Sequence, residues 1–565
     1  MVKRLSISGA FFVWFFVYVP YSPDITGLSP TRLYLEILVV LSVIAVSLVV
    51  SDNSRWSDNL CLWLLVPVAY SLSLFFASDN TFAKSALLTT ASIYFALFAL
   101  AQVLAGRDLS SSSVWISSGL IASALAFVIQ AYGGLGTYSL SISGLPLLEF
   151  GASEHFAGFG QRNVMASFVA CLVTWSIAGY LSKSDTQVGY FQLIALAAGA
   201  FVVTVSGSKI GIVGLAVGCA FALVWLRFIS SVPIKRPAYG MFGAVIIGVL
   251  FGYLLANIGG RATGIDRFAT EMAVGDSGIV LQSSFSTRIN AWYSALISWW
   301  SSPLMGVGPG GFLYGFQDAA LGDQLPLPGK PLVFNYFHSH SMLLQTLVEG
   351  GLVRFFFTAV PLMVWFCLVL RSWKARFFGL TAMSPILLHS LTEYPFESSL
   401  LHWLLIGLIP LSIKAPKNHD SLNQSGQTKT SRPIYFLLFA FMMITVWFQF
   451  TSLRAITILK ASSGINNELL QRWFAGDEKI ADAMFHTVVG PYATQLVYQQ
   501  ASVVLAASSQ KNSLDIMRPF ALDALEWFPS KNAYELVLMT TTNKSSQEYS
   551  EISDRYERLK ALHTH

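Results

Sequence analysis

The sequence predicts an all-α, polytopic membrane protein, and its composition, its apolar runs and the placement of its basic residues all favour that class. Of the 565 residues, 54% are hydrophobic and 12% are charged, with a mean hydropathy of +0.58. A soluble domain usually carries about one quarter charged residues. The low charge content therefore indicates that lipid surrounds much of the chain.

Apolar runs of membrane-crossing length, roughly 17–25 residues, predict about thirteen transmembrane helices. The first run follows Lys3 and Arg4, and we interpret it as a membrane helix rather than a cleaved signal peptide because further runs follow at once. The thirteen runs cover residues 7–19, 33–50, 60–77, 82–104, 114–132, 164–181, 190–206, 210–229, 239–258, 351–370, 377–391, 400–413 and 434–450.

The Lys and Arg residues are distributed unevenly between the connections, and this predicts an orientation. Cytoplasmic loops of membrane proteins are enriched in Lys and Arg. The intervening short connections hold little beyond Arg32, Lys84 and Lys209, so we expect a cytoplasmic N-terminus. The basic residues of the predicted cytoplasmic connections are Lys3, Arg4, Arg55, Arg107, Lys183, Lys235, Arg236, Arg371, Lys374, Arg376, Lys414, Lys417, Lys429 and Arg432.

Three long polar pieces then fall outside the cytoplasm: residues 133–163, 259–340 and 451–565. The last piece has apolar residues at helical spacing, and near Pro529 it has the rhythm of one helix ending and another beginning. We therefore predict a transmembrane domain at residues 1–450 and a periplasmic, tetratricopeptide-like α-helical domain at residues 451–565.

Four groups of polar residues at predicted outer helix ends are candidate sites, because polar groups near lipid are costly unless they are used or paired. The first group is His338-Ser339-His340, followed by Gln345 and Glu349. A histidine there can accept a proton from a hydroxyl near neutral pH, although ordinary interfacial polar residues give the same pattern. At about 100° per residue, His340 and Glu349 would lie on opposite faces of a continuous helix, whereas Gln345 and Glu349 share a face.

The second group begins with Arg288 and Trp292, one helical turn apart, and continues into the glycine-rich run 303–311. A guanidinium binds a phosphate through two parallel hydrogen bonds, and glycine lets the backbone approach a ligand closely. The alternative interpretation is an amphipathic helix that rests on the bilayer with an ordinary tryptophan belt. Both interpretations can hold at once.

The third group is Gln161-Arg162-Asn163, where the first long outer loop enters a span. Arg162 is a second candidate phosphate ligand, and the two amides can bond sugar hydroxyls. Lys209 starts another predicted outer helix and is a similar candidate cation. Polar helix starts are common, so these positions are suggestive rather than specific.

The fourth group is His389, Glu393, Tyr394 and Pro395. The proline breaks the helix, and the exposed backbone groups then need a cavity or water. We expect Glu393 or Tyr394 to help position an acceptor.

Other chemistries lack support in the sequence. It contains neither a Walker phosphate loop nor a GxGxxG signature, and the pair His338 and His340 lacks the further ligands that a zinc site requires. The four cysteines all lie in apolar runs, so neither a disulfide framework nor a metal pair is predicted.

The four groups, in their order along the chain, resemble the superfamily of O-antigen ligases, Wzy-type polymerases and bacterial O-linked oligosaccharyltransferases of the PglL type. His340 with Glu349 and Gly351 looks like the family's histidine and Glu-x-Gly motif, and Arg288 with Trp292 looks like the start of its Arg-x-x-x-Trp and glycine-rich element. The third and fourth groups resemble elements of the PglL branch. The residue after the family's histidine is usually Asn but is Ser341 here, and Lys209 stands where relatives carry Arg.

The resemblance implies a GT-C-like enzyme that needs no metal or other cofactor and moves a glycan from an undecaprenyl-diphosphate carrier. For an enzyme of the PglL type, the resemblance implies that the acceptor is a Ser or Thr of an exported protein such as a pilin. It implies His340 as the catalytic or acceptor-positioning residue and Arg288, Arg162 and Lys209 as ligands of the donor diphosphate. Glycan or acceptor contacts would come from Gln161, Asn163, His338, Glu393 and Tyr394.

Two alternative functions stay open. An O-antigen ligase acting on lipid A–core, or a polymerase, would keep the fold and change the acceptor. A transporter would carry ionisable residues near the middle of its spans, whereas the notable polar residues here gather at outer helix ends.

Overall fold

In a computed structural model of the protein, the described part of the chain is mainly helical, as predicted, with one β-hairpin in addition. The predicted spans that lie before residue 114, and most of those at 400–413 and 434–450, fall outside the described residues. The structure describes residues 116–117, 119–121, 123–125, 138–142, 145–150, 162–182, 188–228, 235–258, 262–275, 284–308, 311–322, 334, 338–370, 372–393, 402, 405–406, 409, 447, 451, 454–455, 458–459, 469–470, 472, 475–484, 497–498, 511–527 and 529–564.

The hairpin lies in the first long predicted loop and was not expected from the sequence. Strand β1, Tyr138–Ile142, pairs antiparallel with β2, Leu145–Phe150, and the register shifts between Leu140 and Ser141. A shift of this kind is a β-bulge, which bends and twists the strand.

Five helices match predicted apolar runs within four residues, but the helix over the span predicted at 351–370 begins nine residues earlier, at Met342. The structure describes the bounds of thirteen helices. They are α1 (Arg162–Leu181), α2 (Tyr190–Val205), α3 (Lys209–Phe228), α4 (Lys235–Ile258), α5 (Gly264–Gly275), α6 (Ser284–Ser301), α7 (Phe312–Leu321), α8 (Met342–Val369), α9 (Trp373–Thr392), α10 (Glu478–Met484), α11 (Lys511–Trp527), α12 (Lys531–Thr540) and α13 (Gln547–Thr564).

Four of the described helices are long and apolar enough to cross a membrane, and α2 is a shorter apolar helix. The four segments are Arg162–Leu181, Lys209–Phe228, Ala238–Ile258 and Met342–Val360. Apolar helices of this length identify a membrane protein.

The chain divides into two compact units, and the first comprises Met1–Leu64, Ile93–Ile279 and Pro361–Val446. Within it, α3 packs against α1 and α9 through glycines. A Cβ at Gly218 would lie 2.4 Å from Thr174 Cγ2, and one at Gly214 would lie 2.8 Å from Pro385 Cα. Small residues at helix contacts let helix backbones approach closely in a membrane, so these glycines set the spacing of the three helices.

The second unit comprises Leu65–Ser92, Val280–Val360 and Trp447–His565. It therefore holds α6, α7 and the first part of α8 together with the C-terminal helices. One buried cluster joins them: Ala291, Ala295, Phe312, Phe316, Ala320, Phe334, Val348, Tyr534, Tyr556 and Leu559. The domain boundary predicted at residue 450 stays a prediction.

The predicted break in the tail is present. Helix α11 ends at Trp527 and α12 begins at Lys531, after Ser530 accepts a hydrogen bond from the Ala533 backbone N–H. Serine in this position satisfies a backbone donor that the first helical turn leaves open. The two helices pack against each other, and α13 packs on α12 and α7.

Candidate functional site

In the first unit, Asn163 of the third group contacts both the fourth group and the turn before Lys209. Its side-chain oxygen accepts a hydrogen bond from Ser208 Oγ at 2.8 Å, and its Nδ2 donates to Glu393 Oε1 at 3.4 Å. Glu393 is only 5% exposed. The starts of α1 and α3 and the end of α9 therefore meet through polar side chains, although the three segments are far apart in sequence.

The two predicted cations of this unit occupy helix starts beside these contacts. Arg162 is the first residue of α1 and Lys209 the first of α3, and both are partly exposed. The turn before Lys209 requires a glycine, because Gly207 has φ +68 and a Cβ there would contact the Ala262 carbonyl oxygen at 3.0 Å. The Arg267 guanidinium lies beside the same turn, and it is a cation that the sequence reading missed.

Helix α5 holds Arg267 in place through a capping box. The Thr263 N–H and hydroxyl both donate to the Asp266 carboxylate, at 2.8 and 2.7 Å, and the Asp266 N–H donates to Thr263 Oγ1 at 3.2 Å. These hydrogen bonds hold the pKa of the Asp266 carboxyl below its usual value. Reciprocal bonds of this kind fix the start of a helix.

A buried polar cluster lies one helical turn away from Asn163 and Glu393, and it includes His402 from a separate segment of the chain. Ser167 Oγ is 2.7 Å from His389 Nδ1 and 2.9 Å from His402 Nε2, and all three residues are fully buried. Ser167 follows Asn163 by four residues and His389 precedes Glu393 by four. The cluster therefore lies next to the Asn163–Glu393 contact, on the same faces of α1 and α9. Sequence reasoning did not predict Ser167 or His402; the available signal was a costly histidine inside an apolar run.

In the second unit, the predicted catalytic histidine lies just before α8 rather than within it. Helix α8 begins at Met342, and His340 has φ +51, a left-handed conformation that non-glycine residues rarely adopt. The His338 and His340 rings are perpendicular, with centroids 4.5 Å apart. The late helix start removes the geometric objection to a connection between His340 and Glu349.

Helix α6 contacts this loop through the predicted tryptophan. Trp292 Nε1 donates to the His340 carbonyl oxygen at 3.2 Å. Arg288 lies one turn earlier on α6, so the Arg-x-x-x-Trp element places a half-buried arginine one helical turn from the residue that contacts the histidine loop.

A chain of polar contacts runs from the histidine loop along α8. The Ser339 N–H donates to Gln345 Oε1 at 3.0 Å, and Gln345 Nε2 donates to Glu349 Oε1. Glu349 in turn faces Arg354, with Nη1 3.7 Å from Oε2. The shared face of Gln345 and Glu349 is confirmed, while Arg354 was not predicted from the sequence.

The glycine-rich turn after α6 is bonded to a break in α8. Gly351 has φ +60 and ψ −166, and a Cβ at this position would lie 2.2 Å from the Leu304 carbonyl oxygen. The Val307 N–H donates to the Val348 carbonyl at 2.8 Å, and the Val353 N–H donates to the Leu304 carbonyl at 3.1 Å. Backbone groups of the turn therefore form hydrogen bonds with backbone groups of α8 on both sides of the break at Gly351.

Gln161 and Tyr394 lie outside the described residues, so their predicted contacts stay predictions. Among the residues that the structure describes, no three His, Cys, Asp or Glu side chains are grouped as a metal site requires.

Residues 194–359 match the family model described as O-antigen ligase. The match includes Lys209, Arg288, Trp292, His338 and His340, and it confirms the resemblance to the O-antigen ligase and Wzy superfamily. Members of that family are glycosyltransferase-like enzymes, either ligases or polymerases. A search of curated proteins found no match.

Proposed function

We propose that the protein is an O-linked oligosaccharyltransferase of the PglL type. It transfers a glycan from an undecaprenyl-diphosphate carrier to a Ser or Thr hydroxyl of an exported, pilin-like protein. The observation that carries this proposal is the arrangement in the second unit, where Trp292 on α6 fixes the His340 loop one turn from Arg288. A proton acceptor and a phosphate-binding cation are the two groups that such a transfer needs.

In the proposed reaction, the acceptor oxygen attacks the anomeric carbon of the glycan. The bond between that carbon and the carrier diphosphate breaks, and the hydroxyl proton passes to His340. Arg288, Arg162 and Lys209 hold the diphosphate leaving group and stabilise the negative charge that develops on it. Arg288 and Arg162 suit bidentate contact with phosphate, whereas Lys209 supplies a compact charge.

The remaining candidates orient the glycan and the acceptor in this proposal: Gln161, Asn163, His338, Glu393 and Tyr394. The contact between Asn163 and Glu393 supports a joint role for these two residues. The proposed setting is the bacterial inner membrane, with the N-terminus in the cytoplasm and with the site and the C-terminal helices in the periplasm.

An O-antigen ligase or polymerase is the second candidate, because the family model that matches residues 194–359 is described as O-antigen ligase. These activities use the same donor chemistry, and only the acceptor differs. The C-terminal helices and the Glu393-Tyr394-Pro395 element favour a protein acceptor.

The test is intact-mass spectrometry of exported proteins from cells that make a lipid-linked glycan. Cells carrying the wild-type protein should contain a protein with an added glycan mass, and cells carrying His340→Ala at equal membrane abundance should not. Unmodified exported proteins together with altered lipopolysaccharide would instead assign the ligase or polymerase activity.

A further inference from the structure

We propose that Gln345, Glu349 and Arg354 form a positioning relay that holds the His340 loop in its reactive conformation. The catalytic role of the His340 loop rests on the proposed function. The contacts of the relay can be tested without any measurement of activity. None of the three residues contacts substrate in this proposal.

The Gln345 amide is the central link, and its orientation follows from its two partners. A carboxylate such as Glu349 only accepts hydrogen bonds, and a backbone N–H such as that of Ser339 only donates. The amide must therefore turn its NH₂ toward Glu349 and its oxygen toward Ser339, as observed. Any change that removes the Glu349 carboxylate removes the group that selects this orientation.

Arg354 fixes Glu349 at the far end of the relay. The two side chains are 8% and 12% exposed, and their charged atoms lie 3.7 Å apart. Removing one partner of such a pair leaves a poorly solvated charge, which is far more damaging than loss of an exposed ion pair. Arg354 lies on α8 beyond the break at Gly351, so the relay spans that break.

The loop at the other end is in a conformation that needs support. His340 has φ +51, which costs about 1 kcal/mol or more for a residue with a Cβ. The Ser339 N–H is held by Gln345, Ser339 Oγ donates to the Ser341 carbonyl at 2.8 Å, and Trp292 holds the His340 carbonyl. The relay thus acts on the residue immediately before the histidine.

The first measurement is hydrogen exchange of the Ser339 amide in the full-length protein in lipid nanodiscs, resolved by mass spectrometry with fragmentation. We expect about fivefold faster exchange in Gln345→Ala, the order expected for loss of one hydrogen bond, and a similar increase in Glu349→Ala and Arg354→Met. Arg354→Lys keeps the charge and should stay close to wild type. Thr346→Ala is the matched control, because Thr346 lies on the same helix and its hydroxyl donates to the Met342 carbonyl of the preceding turn.

The second measurement is transfer kinetics of the same variants with a lipid-linked glycan and an acceptor. Gln345→Ala should lower kcat about tenfold or more and leave KM for the donor within about twofold, because the relay orients the histidine without binding the carrier. Arg354→Lys should recover most of the kcat that Arg354→Met loses.

Each outcome decides one of the two claims. Unchanged Ser339 exchange in Gln345→Ala overturns the relay whatever the protein catalyses. Faster exchange with unchanged kcat overturns its positioning role. If the wild-type protein transfers no glycan while the exchange pattern is as expected, the proposed function fails and the relay stands.

Discussion

At the residue scale, Asn163 has hydrogen-bond partners on two other segments of the first unit. An asparagine amide can donate and accept at the same time, and here it accepts from Ser208 and donates to the buried Glu393. Neither aspartate nor leucine can replace both contacts. The residue therefore ties the starts of α1 and α3 to the end of α9.

We expect Asn163→Asp to lower transfer at least tenfold at neutral pH, because two carboxylates would then face each other. Like charges in one site raise the pKa of one carboxyl group, so the variant should be more stable below that raised pKa and lose stability as the pH rises through it. Thermal unfolding of the variant at several pH values measures this. Asn257→Asp is the control, since Asn257 is exposed and donates to the Tyr253 carbonyl of its own helix. Equal pH profiles for the two variants would contradict the role given to Asn163.

We expect Trp292→Phe to reduce transfer several-fold, because it removes the hydrogen bond to the His340 carbonyl while a smaller aromatic ring remains. One such bond contributes about 1 kcal/mol, which corresponds to roughly a fivefold effect. Transfer assays should show no such change for Trp300→Phe, whose side chain is 75% exposed. Equal activity of both variants would mean that Trp292 does not hold the histidine loop.

The sequence predicts the residue scale only in part, and the reason is physical. The pairing of Gln345 with Glu349 follows from helical geometry. The contact of Asn163 with Glu393 joins residues 230 positions apart, and the cluster of Ser167, His389 and His402 joins three separate segments. Such contacts depend on how helices pack, which local patterns do not encode.

At the element scale, the glycine-rich turn packs closely against the break in α8. Gly306 has φ +73, and a Cβ there would lie 2.4 Å from the Val348 carbonyl oxygen. A Cβ at Gly351 would lie similarly close to the turn, 2.2 Å from the Leu304 carbonyl oxygen. Each glycine is required by the backbone of the opposite segment.

We expect Gly351→Ala to destabilise the second unit strongly, because its backbone conformation is nearly exclusive to glycine and the new Cβ would overlap the Leu304 carbonyl. Gly308→Ala is the matched control: Gly308 has φ +91 but open space around it, so it carries only the conformational cost of about 1–2 kcal/mol. Melting temperatures of the two variants in detergent compare the effects. A smaller loss for Gly351→Ala than for Gly308→Ala would contradict the close packing of the turn against the break in α8.

The elements were predicted better than the contacts between them. Apolar runs predicted spans at 164–181 and 210–229, and the helices cover Arg162–Leu181 and Lys209–Phe228. A run of apolar residues predicts a helix from local information alone. The hairpin Tyr138–Phe150 was missed although Tyr138, Leu140 and Ile142 alternate with serines before a Ser-Gly pair, a pattern typical of a strand and turn.

At the scale of the whole molecule, the C-terminal helices of the second unit share a core with the helices that carry the histidine loop. Phe334, four residues before His338, packs against the rings of Tyr534 and Tyr556, with centroids 6.2 and 5.8 Å away. The Tyr534 hydroxyl donates to Gln317 Oε1 at 3.1 Å and accepts from Arg555 Nε at 2.8 Å. Deleting the tail would expose this core, so point variants are the better probe of acceptor docking.

We expect Tyr534→Ala to destabilise the protein by about 3–5 kcal/mol, the usual cost of removing a large buried aromatic side chain. Tyr534→Phe keeps the ring and removes only the hydroxyl contacts, at about 1 kcal/mol. Denaturant unfolding of the second unit, followed by tryptophan fluorescence, measures both. Equal and small effects would contradict a shared core.

The most direct test of the central claim is a reaction of purified protein in nanodiscs with an undecaprenyl-diphosphate-linked glycan and a purified pilin-like acceptor. The account predicts that released undecaprenyl diphosphate and glycosylated acceptor appear in equal amounts, and that both disappear with Arg288→Ala, which also weakens carrier binding. Full transfer by Arg288→Ala would contradict the role of the guanidinium, and transfer to lipid A–core but never to protein would contradict the proposed acceptor.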